Sequence, residues 1–121
     1  MGAGLRDIAP KEVYSAIVDK TWSGASDAYT LVDISALHPN ESSKKIVVIA
    51  FFFTQNGTVG LTFKSNTTAI TGDMLTTANT WIKANYNPDG HFKTSAGQDL
   101  NIQPTGSTST KIGGWVNYYL E

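Results

Sequence analysis

Residues 45–65 read KIVVIAFFFTQNGTVGLTFKS, and this stretch decides the fold class. Residues 45–54 are apolar at almost every position, with β-branched and aromatic side chains, which suits a central strand covered on both faces. Asn56-Gly57 follows, a dipeptide favoured at the centre of a type I′ turn because both positions must take positive φ. Beyond it Val59, Leu61 and Phe63 alternate with Thr58, Gly60, Thr62 and Lys64, the period of a strand with one buried and one wet face. The stretch predicts a β-hairpin, with residues 58–65 pairing back on the core strand.

The same chemistry continues in both directions. Residues 29–34 read as a strand. Residues 74–86 are long for a strand, and Leu75, Ala78 and Ile82 also fit a helical spacing, but the threonines and Trp81 favour β. Asn87-Pro88-Asp89-Gly90 is a turn, and residues 91–94, 99–103 and 110–120 read as further strands separated by Gly, Pro and Ser. Gly113-Gly114 marks a bulge or a close backbone approach. Seven or eight strands result, with no convincing helix after Gly24. The expected fold is all-β, an antiparallel two-sheet sandwich of jelly-roll type.

The N-terminal segment carries two patterns. Val13, Ala16 and Ile17 after Pro10 fit a short helix over residues 9–19, whereas the alternation of Val13, Ser15 and Ile17 fits a strand over residues 13–18. The division that follows is an arm or short helix over residues 1–21 and a sandwich domain over residues 22–121.

The 121 residues suffice for one domain, and 40% hydrophobic against 16% charged residues is enough apolar surface to offset the entropy of ordering. Net charge is −1, and the basic residues are scattered apart from Lys44-Lys45, so nucleic-acid binding is not expected. Without cysteine there is no disulfide framework, thiolate metal site or Cys nucleophile. The longest apolar run, residues 46–53, falls short of the ~20 residues a membrane helix needs. The N-terminus shows no signal-peptide pattern, and the sequons at Asn40, Asn56 and Asn66 read as by-products of a Thr- and Asn-rich composition.

Catalytic signals are weak. His38 and His91 stand beside Pro39 and Gly90 in turns, in no zinc or triad pattern, and read as solvated loop imidazoles. Ser, His and Asp are all present, but no nucleophile-elbow motif orders them. Asp73, Asp89 and Asp99 lie singly in turns rather than in a dense acidic calcium loop. No cofactor, metal or enzymatic activity is expected. Trp22, Trp81, Tyr86, Trp115, Tyr118 and Tyr119 are the candidate interface or glycan-stacking residues, weighed against the commoner use of aromatics as core filling.

One ordered set of segments resembles a known family. Residues 31–39 (LVDISALHP) and the apolar strand after them resemble the "DLS-x-hydrophobic-x-Pro" strand pair of small jelly-roll proteins from the virions of tailed bacteriophages. Gly60-Leu61-Thr62-Phe63-Lys64-Ser65-Asn66 resembles the next hairpin arm of that pattern, and Gly114-Trp115 its closing Gly-aromatic pair. Residues 39–43 depart from the usual Pro-Ala-Gly-Ala. The resemblance spans residues 22–121 and implies a non-enzymatic capsid decoration, head-fibre or tail-associated protein. It implies a homo-oligomer, a trimer being one form, with phage capsid or tail protein as partner. The location it implies is the virion surface, after synthesis in the host cytoplasm. The alternative is a carbohydrate-binding module or receptor-binding domain whose aromatics meet a cell-surface glycan.

Overall fold

The computed structural model describes residues 11–22, 27–105 and 109–121. Ten strands are found there: β1 (Tyr14–Trp22), β2 (Tyr29–Val32), β3 (Ile46–Gln55), β4 (Gly60–Ser65), β5 (Thr68–Ala69), β6 (Met74–Leu75), β7 (Thr80–Ala84), β8 (Phe92–Lys93), β9 (Leu100–Thr105) and β10 (Thr110–Leu120). They form two antiparallel five-stranded sheets. Sheet A runs β1-β10-β3-β7 with β8 also on β3, and sheet B runs β2-β9-β4-β5 with β6 also on β4. The chain changes sheet repeatedly as it proceeds, which gives the jelly-roll sandwich expected.

The two facing sheets enclose one core. Val18, Ile46, Val48, Phe51, Phe53, Ile112 and Val116 of sheet A meet Val32, Leu61, Phe63, Leu100 and Ile102 of sheet B. Phe51, Phe53, Phe63 and Phe92 form its aromatic centre, with neighbouring ring centroids 4.7–6.3 Å apart. Each fully buried Phe or Leu contributes roughly 1.5–3 kcal/mol relative to exposure.

β3 is interior, between β10 on one side and β7 and β8 on the other, as its continuous apolar run predicts. A β-bulge adds to that run. Asn117 of β10 faces Ala50 and Tyr118 faces Val48, so Ile49 has no opposite residue and the strict alternation of faces is broken. Gly114 lies against this strand at φ 149°, where a Cβ would stand 1.9 Å from the Phe52 carbonyl oxygen. The close backbone approach expected of Gly113-Gly114 is real at Gly114, whereas the bulge is in β3, at Ile49 opposite Asn117-Tyr118.

The predicted hairpin at Asn56-Gly57 does not form. β3 belongs to sheet A and β4 to sheet B, and neither Asn56 nor Gly57 takes positive φ. Asn56 extends the pairing with β10 instead: its N–H donates to the Lys111 carbonyl at 3.2 Å, and its Oδ1 accepts from the Lys111 N–H at 2.7 Å. Gly57 is needed for space, since a Cβ there would meet the Thr110 side chain at 2.7 Å. β4 pairs with β9, and the tight turn lies at Asn66-Thr67, where Ser65 faces Thr68 and Asn66 has φ 49°. The expected face of β4 is buried at Val59, Leu61 and Phe63, but Gly60 and Thr62 on the other face are buried too, beside Asp73.

Residues 74–86 form two strands rather than one, β6 on sheet B and β7 on sheet A, with Asn79 at φ 61° between them. Of the two N-terminal patterns the strand prevails over residues 14–22 and the helix does not form there. β1 pairs along its whole length with β10, which offers each β1 residue a partner that an isolated helix would lack. Residues 14–21, expected in the arm or short helix, are thus part of the sandwich. Residues 1–10 of the expected arm lie outside the described residues. One short helix occurs where a strand was expected to end, α1 (Ile34–Leu37), capped by Asp33 Oδ1 accepting from the Ala36 N–H at 3.2 Å.

Candidate functional site

Strand alternation puts every second residue of sheet A on its outer face. Across the register Ile17 of β1 faces Trp115 of β10, Trp115 faces Phe52 of β3, and Phe52 faces Lys83 of β7. Trp81, two residues before Lys83, faces Thr54. The Phe52 ring stacks between two indoles, 6.1 Å from Trp81 and 6.4 Å from Trp115, each at 22° to it. The Lys83 ammonium sits 5.2 Å from the Trp81 ring, a cation–π contact.

This aromatic row is open to solvent. Ile17 is 76% exposed, Trp81 57% and Trp115 40%. Tyr86, 68% exposed, stands at one end, where a groove of about 400 Å³ runs along Ala50, Phe52, Lys83, Asn85 and Asn117. At the other side of Trp81 a groove of about 440 Å³ is lined by Trp81 itself with Thr54, Asn56, Asn79 and Lys111. Contiguous exposed apolar surface rimmed by polar groups marks an interaction site far more often than scattered exposed residues do.

The other candidate aromatics are elsewhere. Trp22 is buried, its indole Nε1–H donating to the Asp27 carbonyl at 2.7 Å and its ring edge-on to Tyr29. Tyr118 points into the core, and Tyr119 is buried with Val47 and Ile49 under the Lys11 ammonium, 3.9 Å from its ring centre. These three are occupied by packing. Phe52, Ile17 and Lys83 belong to the exposed row but carry no distinguishing signal of their own: Phe52 sits inside a run of residues that are otherwise buried. Only pairing Trp115 with position 52 across the sheet could have identified it.

His38 is not a solvated loop imidazole. Its Nε2 lies 2.8 Å from the Tyr118 hydroxyl, and its ring meets Tyr14 and Tyr118 edge-on. Burial raises the pKa of the Tyr118 hydroxyl above its ordinary value. That of Tyr14 is pushed up to about 12, first by its hydrogen bond to Glu12. His91 is exposed, its Nε2–H donating to the Asn85 carbonyl at 2.6 Å. Among the described residues the hydrogen-bond partners of the two imidazoles are thus a Tyr hydroxyl and a backbone carbonyl. Asp99 accepts from the Ile34 N–H at 3.0 Å and Asp73 from the Thr105 hydroxyl at 2.9 Å, both structural roles. No group of three His, Asp or Glu among the described residues is placed to hold a metal ion.

No protein family matches this sequence, and no curated protein does. Among solved structures, the coat protein of tobacco streak virus in one crystal form is similar at TM-score 0.50 and 14% identity, over 87% of this chain and 85% of that one. The dimer of the same coat protein gives TM-score 0.49 and 15% identity, over 88% and 84%. Infectious bursal disease virus, Gx strain, gives 0.41 and 12%, over 91% of this chain and 32% of that one. At such identity the first of these likenesses is one of fold alone.

Proposed function

We propose that this chain is a non-enzymatic structural component of a virus particle, acting through protein–protein contact. The observation that carries the reading is the open row Ile17, Trp115, Phe52 and Trp81 on a rigid sheet, since exposed Trp and neighbouring apolar groups are what dominate protein interfaces. The jelly-roll likeness to a plant-virus coat protein supports it at the level of fold. The finer assignment is a surface component of a tailed-phage particle, such as a capsid decoration protein, and it rests on the sequence resemblance of residues 31–39 and 60–66.

The test is made on gradient-purified particles of the virus that encodes the chain. Mass spectrometry should find the chain at a stoichiometric copy number, and purified chain should rebind stripped particles. Trp81→Ala combined with Trp115→Ala should weaken rebinding by at least ~10-fold, the scale of one interface hot spot. Absence of the chain from the particles would remove the proposal.

The second reading, glycan binding, is favoured by one feature: Trp81 lines the same groove as Asn56, Asn79 and Lys111, a stacking ring next to hydrogen-bonding groups. Saturable quenching of tryptophan fluorescence by an oligosaccharide, lost in Trp81→Ala, would favour it.

A further inference from the structure

β1 is the outer strand of sheet A, and among the described residues nothing pairs with its second edge. At nine residues it is long for an edge, and it holds no proline. Such an edge is a template for another strand unless charge, a bulge or a covering element protects it. The side chains that β1 and its lead-in turn outward are Lys11, Val13, Ser15, Ile17 and Asp19, all exposed. Read backwards, this order has the same chemistry with the charges exchanged: acid, aliphatic, serine, aliphatic, base. A strand of that kind is complementary to itself when run antiparallel.

From this we infer that β1 pairs antiparallel with β1 of a second copy, about a twofold axis at Ser15. In that register Lys11 faces the partner's Asp19, Val13 faces Ile17, and each contact occurs twice. On the inward side Tyr14 faces the partner's Ala16, setting an aromatic ring over the small buried residue at the edge. The opposite charges across the seam fix the register and disfavour slippage by one pair. The interaction is isologous and closes at two, which distinguishes it from a trimer. It joins the two five-stranded sheets edge to edge and brings the Ile17 ends of the two aromatic rows towards each other. Within one copy the Lys11 ammonium lies over Tyr119 and Asp19 is 3.4 Å from Lys111, both contacts to β10; the Asp19 pair is largely exposed and weak, and each charge turns from its β10 neighbour to meet the other across the seam.

This inference deepens the particle-component reading by naming one self-contact, and it is tested apart from particle binding. Solution mass of the full chain is measured by analytical ultracentrifugation from about 1 µM to about 1 mM, a range that covers weak dimers. A reversible dimer is expected. Lys11→Asp alone and Asp19→Lys alone should each weaken it by about tenfold or more, since each replaces two attractive pairs by two repulsive ones. Mixing the two variants in equal amounts should restore the dimer, because in the mixed pair every seam contact again joins opposite charges. Ile17→Lys, at a site 76% exposed and safe for folding, should weaken self-association while leaving the circular dichroism spectrum unchanged. A monomer at every concentration overturns the pairing, and particle rebinding then decides the broader reading independently. An oligomer indifferent to all three changes, or a mixture that does not recover, overturns the pairing while leaving self-assembly in place.

Discussion

The outer face of sheet A has two halves built on one strand. In the first half of β3, Val47 and Ile49 are buried with Tyr119. The turn between β7 and β8 is tied to the edge of this half, with the Asn87 N–H donating to the Ile49 carbonyl and the His91 N–H to the Val48 carbonyl, each at 2.8 Å, and Gly90 lies against the Val47 side chain. In the second half Phe52 stacks with Trp81 and Trp115 and nothing among the described residues covers the group. Local sequence is similar in hydrophobicity on both sides of Ala50. The difference comes from what packs on each half: on the first, Tyr119 with Lys11 over it, and the turn of residues 87–90, whose Gly90, at φ 89°, permits the approach because a Cβ there would stand 2.3 Å from Val47 Cγ1. Apolar surface that the chain covers itself contributes to stability. Apolar surface that it leaves open contributes little to the stability of the single chain.

Four substitutions test this contrast. The largest effect is expected from Ile49→Ala, which empties a buried site in the covered half and should cost about 2–5 kcal/mol in urea unfolding. Trp81→Ala in the open half should cost no more than about 1 kcal/mol although the residue is larger. Equal losses would mean that the two halves do not differ as described. A smaller effect is expected from Gly90→Ala, which forces a β-carbon against Val47 in a conformation disfavoured for alanine. It should cost about 1–3 kcal/mol and speed hydrogen exchange at the Asn87 and His91 amides, with the Trp81 environment unchanged.

The smallest effect concerns the ion pair that ties the end of β10 to β8, Lys93 to Glu121 at 2.9 Å. The Lys93 ammonium, by its hydrogen bond, holds the Glu121 carboxyl below its ordinary pKa. A lowered folded-state value means that the stabilisation is present in full above the ordinary carboxylate pKa and is lost as pH falls through the lowered one. The pair is exposed, so its share is slight. The melting-temperature difference between the wild type and Glu121→Gln should therefore be positive near neutrality and shrink to nothing under acid conditions. A difference independent of pH would assign it to something other than the charge.

Much of the strand inventory was legible because it rests on local patterns. β10 spans the residues expected of it, and β3 lies within one residue of its expected position. The turn at Asn87 forms as its composition predicts, with the Gly90 N–H donating to the Asn87 carbonyl at 2.9 Å. The Asn56-Gly57 hairpin failed because the dipeptide describes what two adjacent strands would do if they paired, and β10 holds the partner edge instead. Residues 74–86 were read as one strand because both of its pieces are β. The change of sheet between them is marked by Asn79 alone.

The candidate site was legible in part. Trp81, Tyr86 and Trp115 are exposed as a binding role requires, whereas Trp22, Tyr118 and Tyr119 are consumed by packing and hydrogen bonding. Aromatic residues have the same local signature in both situations, since the energy of burying a ring does not depend on whether this chain or another buries it.

That the chain is made of short strands with polar turns, and has enough apolar residues for one core, can be read from the sequence alone. Those properties follow from side-chain alternation and turn chemistry, which act over a few residues. Which sheet each strand joins, which aromatics remain outside, and that nothing among the described residues pairs with the outer edge of β1 are settled in the tertiary structure alone. Those outcomes depend on pairings between residues as distant as Ile17 and Trp115, and on a bulge and a close glycine contact that exist only once β10 lies against β3.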